Sequence, residues 1–264
     1  MKLNLNKFVL KCINSFETEQ GEANMWGQPL TTLLSAEHPL ISELKQMVSP
    51  EHFFPAELLP DAKSIVIFFI PFDSRIIESN LLAGAASIEW ARTYILTNQL
   101  LSRINDELEK YIIQHDFKAE KVKPTHNFSE ETLMSRWSHR HLAWIAGMGT
   151  FGINNMLITS KGCCGRFGSL VTNADMMEFG FSTDDSKVEA FQGVEKCLNK
   201  RNGSCGICQK KCPVGAYKEG GVFDRHKCYK VCLENAQLYK EIGLADACGK
   251  CLVGLPCSSK DPSK

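Results

Sequence analysis

The chain has 264 residues, 44% hydrophobic and 23% charged, with 30 Lys+Arg against 30 Asp+Glu and no net charge. That composition can build a sizeable core and excludes wholesale disorder. The zero balance excludes a protein whose whole surface binds polyanions, and the longest apolar run, residues 65–70, is far short of the ~20 residues of a membrane helix.

Leu5, Phe8, Val9, Cys12, Ile13 and Phe16 recur at helical spacing with polar residues between them, so an amphipathic helix is expected to end before Gly21, with Cys12 as a small core residue. Lys7 and Lys11 interrupt the apolar positions and no small-residue cleavage site follows. The N-terminus therefore does not read as a signal peptide, and a cytoplasmic protein is expected. Residues 26–60 are proline-punctuated and read as irregular, with a short helix over 41–48. Residues 64–72 read as a strand, apolar without alternation, as in a sheet covered on both faces. A long helix is predicted over 87–115, with Ile88, Tyr94, Ile95, Leu101, Ile104, Leu108, Tyr111 and Ile112 as its buried stripe. Short strands are predicted at 117–122, 155–159 and 169–172, and a helix over 139–148 that stops at Gly149. A Gly/Cys-rich loop would join the last two strands. Strand, long helix and further strands suggest an α/β domain over about 1–185. Residues 183–186 are a polar linker candidate, and 186–264 would form a second, cysteine-rich domain.

Cysteine usage is the abnormal feature. Of 12 cysteines, nine lie in the last 68 residues: Cys197, Cys205, Cys208, Cys212, Cys228, Cys232, Cys248, Cys251 and Cys257. Disulfide scaffolds are small secreted chains, whereas here a long core-forming segment comes first, so a metal-binding module is the better reading. Cys205, Cys208 and Cys212 form C-x2-C-x3-C followed by Pro213, the back three-quarters of the bacterial ferredoxin pattern. Asn202 stands where the leading cysteine belongs, and Cys197 is the nearest replacement. Cys248 and Cys251 repeat the C-x2-C, with Cys257 after them. Two [4Fe–4S] clusters need eight thiolates. The rival is a structural zinc held by Cys205, Cys208, Cys248 and Cys251, which leaves Cys212, Cys228 and Cys257 unexplained. Residues 196–230 carry nine basic residues against two acidic ones, a cationic setting that stabilises anionic clusters; a nucleic-acid contact is the alternative.

Other residues carry open readings. Gly147, Gly149 and Gly152 would let backbone approach a cofactor, although a helix cap and turn explain the first two equally well. The run is not a dinucleotide-binding fingerprint, since it lacks the preceding strand and the later acidic residue. Arg166, between Gly165 and Gly168, could pair with a phosphate or carboxamide edge or simply face solvent. Cys163 and Cys164 read as one buried and one exposed thiol, with a redox or pocket role as the sharper reading. His139 and His141 fall on different helix faces, one of them a candidate proton donor. Trp137 and Trp144 share a face and read as core.

The segment Gly-Met-Gly-Thr-Phe-Gly-Ile-Asn-Asn at 147–155, Gly-Arg-Phe-Gly-Ser-Leu at 165–170 and the two cysteine groups together resemble the epoxyqueuosine reductases, relatives of the reductive dehalogenases. The likeness runs over about 59–257. It implies an α+β protein: a nitroreductase-like α/β domain holding cobalamin, then a ferredoxin-like domain with two [4Fe–4S] clusters. It implies a cofactor pocket lined by Gly147, Gly149, Gly152, Asn154, Gly165, Arg166 and Gly168, with flavin as the lesser candidate. It also implies how the ligands divide. Cys205, Cys208 and Cys257, completed by Cys197, would hold the cluster nearer the cofactor. Cys212, Cys248 and Cys251, with Cys228 rather than Cys232, would hold the distal one.

Two departures shape the functional expectation. The family's aspartate, about 14 residues before the glycine segment, falls on Leu133, with Glu130 and Glu131 out of register. The C-terminal region that helps those enzymes hold tRNA has no counterpart after Cys257. The expectation is an iron–sulfur oxidoreductase, fed by an external ferredoxin- or flavodoxin-type donor, acting on a small-molecule or protein-bound substrate rather than a tRNA epoxide, with no membrane partner. An electron-transfer or activator protein and a genuine epoxyqueuosine reductase are the alternatives.

Overall fold

The computed structural model describes residues 3–175, 180–182, 194–218 and 222–264. The candidate linker at 183–186 and the boundary after 185 lie outside the described residues. The first described helix is α1 (Leu5–Gln20), where Asn4 accepts a hydrogen bond from the Lys7 N–H and Gly21 closes the far end at φ 65°. Then come β1 (Leu30–Ser35), the short helices α2 (Leu44–Met47) and α3 (Pro55–Leu58), β2 (Ser64–Pro71), α4 (Ser74–Ser79) and the long α5 (Ile88–Ile113). The chain continues through β3 (Ala119–Lys121), α6 (His139–Ile145), β4 (Gly149–Phe151), β5 (Leu157–Thr159) and β6 (Gly165–Thr172). Among the described residues of the cysteine-rich part three helices follow: α7 (Leu198–Asn202), α8 (Ile207–Lys210) and α9 (Arg225–Leu238).

The main sheet has the order β1-β2-β6-β3, and every pair in it is antiparallel. The protein is therefore a mixed α+β fold with antiparallel sheets, not a parallel α/β layer. An uninterrupted apolar strand reports that both faces are covered; it carries no information on strand direction. All eight residues of β2 are buried, and their alternation reappears as a choice between two cores. Val66, Phe68 and Ile70 pack with α1 and α5 against Leu5, Val9, Leu101 and Ile104. Ile65, Ile67 and Phe69 pack with α6 against Leu30, Leu142 and Trp137. Two of the buried indoles meet a hydroxyl: Trp26 Nε1 donates to Thr97 Oγ1 at 2.8 Å, and Trp137 Nε1 to Ser169 Oγ at 3.0 Å.

Four sequence expectations change. Residues 30–35 are a strand, because pairing with β2 supplies what their own Leu-Thr-Thr-Leu-Leu-Ser pattern does not announce. Ile88 is 52% exposed at the start of α5, and the indole of Trp90 is buried instead. The third strand begins at Gly165, so the glycine-rich stretch is strand rather than loop. The cysteine-rich part contains α9, a helix with only Asn235 buried, which hydrophobic periodicity cannot reveal. Among the described residues no helix is long and apolar enough to cross a membrane.

The glycines of β6 serve this packing. A Cβ on Gly165 would stand 2.3 Å from the Ile70 carbonyl oxygen, and one on Gly168 would stand 2.5 Å from the Phe68 ring. Gly165→Ala should destabilise the protein by about 1–3 kcal/mol, the usual range for overpacking a core. A urea unfolding midpoint equal to that of the parent protein would show that the strands are spaced differently.

Candidate functional site

The C-terminal cysteines gather around two cavities. Cys197, Cys205, Cys208 and Cys257 border a small one of about 20 Å³. Cys197 is the N-cap of α7, and Cys208 lies in α8. Cys257 is brought in by backbone pairing, since its carbonyl accepts from the Cys163 N–H at 2.9 Å. Burial, then the neighbouring Cys257, pushes the Cys208 thiol up to about 11. Cys257 is raised as well, first by its hydrogen bond with Cys163 and then by burial.

Cys212, Cys228, Cys232, Cys248 and Cys251 border the second cavity, of about 300 Å³. Cys228 and Cys232 lie one turn apart on α9, and the hydrogen bond between them favours the thiolate at Cys228 and the thiol at Cys232. Burial pushes Cys251 up to about 12. Among the described residues no three His, Cys, Asp or Glu side chains converge on a single ion position.

Buried amides fasten the Cys248–Cys251 turn to the first part of the chain. Asn80, fully buried, donates to the Cys248 carbonyl at 2.9 Å and accepts from the Ser87 N–H at 3.0 Å. Asn235 donates to the Ala247 carbonyl at 3.0 Å and accepts from the Ala86 N–H at 3.2 Å. Gly249, at φ 71°, lies so close to Trp90 that a Cβ would stand 2.2 Å from the indole. The turn therefore needs glycine twice over, for its backbone angle and for its neighbour.

A third and larger cavity, of about 490 Å³, lies beside the second. The two share Arg140, Met156, Arg225, Cys232, Gly249 and Leu252. The five-cysteine group thus abuts the large cavity. The reason is the docking just described: Trp90 both supports the Cys248–Cys251 turn and borders the cavity, and α9 presents Cys232 to it.

Of the predicted pocket residues, Gly165 and Arg166 border the large cavity. Gly152 and Asn154 border the four-cysteine cavity, Asn154 the five-cysteine one as well. Gly147, Gly149 and Gly168 border none of these three. Gly147 turns the chain after α6 at φ 78°, and Gly149 lets β4 close on β5, where a Cβ would stand 2.1 Å from the Ile158 carbonyl oxygen. Cys163 and Cys164 are both buried, contrary to the expectation of one exposed thiol, and the Cys164 Sγ donates to the Leu252 carbonyl at 3.1 Å. Leu133 borders the large cavity at φ 54°, whereas Glu130 and Glu131 do not border it.

The large cavity is rich in charge that the sequence did not bring together. Arg166 lies 4.5 Å over the Tyr94 ring. Arg140 donates to the Asn155 carbonyl at 2.5 Å, and burial together with Arg166 and Arg225 pulls it below its ordinary value. His126 Nε2 meets Asp246 Oδ2 at 2.9 Å, while the buried Asp246 Oδ1 has no hydrogen-bond partner. His126 and Asp246 are 120 positions apart, and no sequence pattern links them.

The histidines of α6 each have a serine hydroxyl as partner. His139 Nε2–H donates to the Lys123 carbonyl at 3.3 Å, so its Nδ1 accepts from the Ser169 hydroxyl at 2.8 Å, and that hydroxyl in turn accepts from Trp137. Ser138 Oγ and His141 Nδ1 are hydrogen-bonded at 2.7 Å. Burial holds both His139 and His141 down at about 4.

The comparisons with known proteins point one way. No protein-family model matches the chain. It is 28% identical over 182 residues to an epoxyqueuosine reductase of Bacillus cereus, a match covering 66% of this chain and 41% of that protein. A match of the same extent is found with the epoxyqueuosine reductase of Bacillus anthracis. The chain thus matches less than half the length of these curated relatives. An epoxyqueuosine reductase solved with a modified tRNA-Tyr stem loop superposes with a TM-score of 0.53 at 19% identity, covering 98% of this chain and 67% of that one. A reductive dehalogenase, whose structure suggests a mechanism for B12-dependent dehalogenation, superposes at 0.58 and 16% identity, covering 88% of this chain and 30% of that one. The resemblance carried by the motifs is thus met in curated sequences and in solved folds.

Neutral burial of His139 has a pH signature. The unfolded imidazole takes up its proton near 6.5 and the folded one near 4, so between these values the unfolded chain binds more protons. Stability should be full above pH 6.5 and fall by on the order of 3 kcal/mol as pH drops towards 4. His139→Gln should flatten part of that slope in denaturant unfolding at pH 7, 6 and 5. An identical slope in parent and variant would place the charge change elsewhere.

Proposed function

We propose that the protein is an iron–sulfur reductase whose two thiolate groups hold [4Fe–4S] clusters and whose large cavity receives a cobalamin and the substrate. The observation that carries this reading is the division of the nine C-terminal cysteines between two cavities, one of them sharing a wall with the large cavity. When bound, the clusters would supply one-electron storage and the cobalamin a strongly reducing metal.

The residues fit these groups. All the ligands are soft thiols, whose raised positions at Cys208 and Cys251 mean that loading releases protons. Cys197, Cys205, Cys208 and Cys257 would hold one cluster. Cys212, Cys228, Cys248 and Cys251 would hold the other, leaving Cys232 as the protonated neighbour facing the large cavity. On the cavity side, the orphan Asp246 Oδ1 suits an N–H donor, such as an amide of the corrin edge. Arg166, set on Tyr94, suits the cofactor's phosphate. Trp90, Tyr94 and Trp137 provide flat apolar walls that exclude water.

The substrate is a small or protein-bound molecule rather than a tRNA epoxide, because apolar Leu133 stands where the related enzymes carry an acid. An external ferredoxin- or flavodoxin-type protein supplies the electrons. The second reading, a genuine epoxyqueuosine reductase, is favoured by the names of the curated relatives. The domain division near residue 185 belongs to the same proposal.

Anaerobically purified protein should carry about eight irons and eight sulfides per chain. Cys212→Ser should disturb the cluster beside the large cavity and spare the other, and Cys257→Ser should do the converse, as read by EPR and iron content. Stoichiometric zinc without labile sulfide would end the reading. Hydroxocobalamin should bind the loaded protein, and restored queuosine formation in a reductase-deficient cell would transfer the assignment to the second reading.

A further inference from the structure

The two C-x2-C turns have the same spacing and almost the same sequence, Cys205-Gly-Ile-Cys208 and Cys248-Gly-Lys-Cys251. They differ at one position in a way that spacing does not explain. Ile207 is an apolar side chain left 39% exposed, whereas Lys250 is a charged side chain only 6% exposed. The usual preferences are inverted at both places.

The Lys250 ammonium donates to the Asn80 carbonyl at 3.1 Å, to Asn80 Oδ1 at 2.8 Å and to the Leu82 carbonyl at 2.7 Å. These three bonds use all of its N–H donors, and every acceptor is neutral. Among the described residues it forms no ion pair with a carboxylate. A buried charge without a counter-charge costs several kcal/mol, so the fold retains one only where negative charge stands nearby. The groups flanking it that can become negative are the thiols of Cys248 and Cys251. Asn80 ties the arrangement together, since the amide that accepts from Lys250 also donates to the Cys248 carbonyl.

We propose that Lys250 is a fixed cation built into the five-cysteine group, raising the reduction potential of the centre held there above that of the centre at Cys197, Cys205, Cys208 and Cys257. The reduced form of a cluster carries one more negative charge than the oxidised form, so a nearby buried cation stabilises reduction. The first turn has Ile207 in place of such a cation. Electrons entering the protein therefore come to rest on the centre that shares a wall with the large cavity. Lys250 touches neither substrate nor reacting atoms and acts as a positioning residue for charge.

This inference rests on the two-cluster reading, and its failure is distinguishable from the failure of that reading. Absence of labile sulfide breaks the reading itself; potentials indifferent to Lys250 break only the inference. The test is EPR at poised potentials on the anaerobically loaded full chain. The parent protein should show two separated midpoints. Lys250→Gln should lower the higher one by about 59 mV, a tenfold change in a one-electron equilibrium, and leave the lower one in place. Lys250→Arg should keep the parent value. Asn80→Asp, which sets a carboxylate on the ammonium without removing it, should lower the same midpoint and decides the matter if Lys250→Gln does not load iron. Equal midpoints in the parent protein, or unchanged or equally shifted midpoints in an iron-replete variant, would overturn the proposal.

Discussion

The contact of Gly249 with the Trp90 indole is the constraint on which the rest of the site depends. Trp90 lies in the long helix behind the sheet, and Gly249 lies in a cysteine turn nearly 160 residues later. The indole leaves no room for a side chain at 249, so the turn lies flat on it. Asn80 and Asn235 then satisfy the backbone of that turn from two sides. Each is buried and bonded through both its oxygen and its nitrogen, the condition under which a buried amide adds definition rather than penalty. Through Gly249 this turn borders both the five-cysteine cavity and the large cavity, beside Arg140, Met156, Arg225, Cys232 and Leu252.

Electrostatics divides the region into two regimes. Thiols buried together hold their protons, and the direction of shift at Cys208, Cys248 and Cys251 expresses that cost. Around them stand Arg140 and Lys250, cations with limited access to water. Neither regime is comfortable alone. Thiolates gathered around a metal–sulfur centre would resolve both, because they place negative charge where the cations already are.

The shared fold with epoxyqueuosine reductases and reductive dehalogenases says which framework the chain uses; the lining says what it can do with it. Leu133 at the cavity wall, the His126–Asp246 pair and Arg166 on Tyr94 are properties of this chain's own surface. The glycine segments that carry much of the motif resemblance are spent mostly on internal packing. Gly149 closes a hairpin and Gly168 receives the Phe68 ring, so their resemblance reports a common backbone path rather than contact with a ligand.

The sequence by itself determined the elements whose signal is local. The periodicity of α1 and α5, the apolar run of β2 and the Gly21 cap were legible because burial and turn chemistry act within a few residues. The cysteine spacings announced two short C-x2-C turns for the same reason, since such a turn is short-range geometry. The resemblance added how the cysteines would divide between two centres. Tertiary structure decided everything that depends on distant partners. It set the antiparallel order of the sheet, because an apolar run is blind to strand direction. It made a strand of residues 30–35 through the offer of β2. It put the Cys248–Cys251 turn, not the Cys205–Cys208 turn, beside the large cavity through Trp90. It also turned Lys250 inward, where three oxygens from the 80–82 loop surround a charge that any reading of its local sequence would leave in solvent. Short-range geometry is written in spacing; the dielectric surroundings and neighbours of a group are set only when remote segments meet.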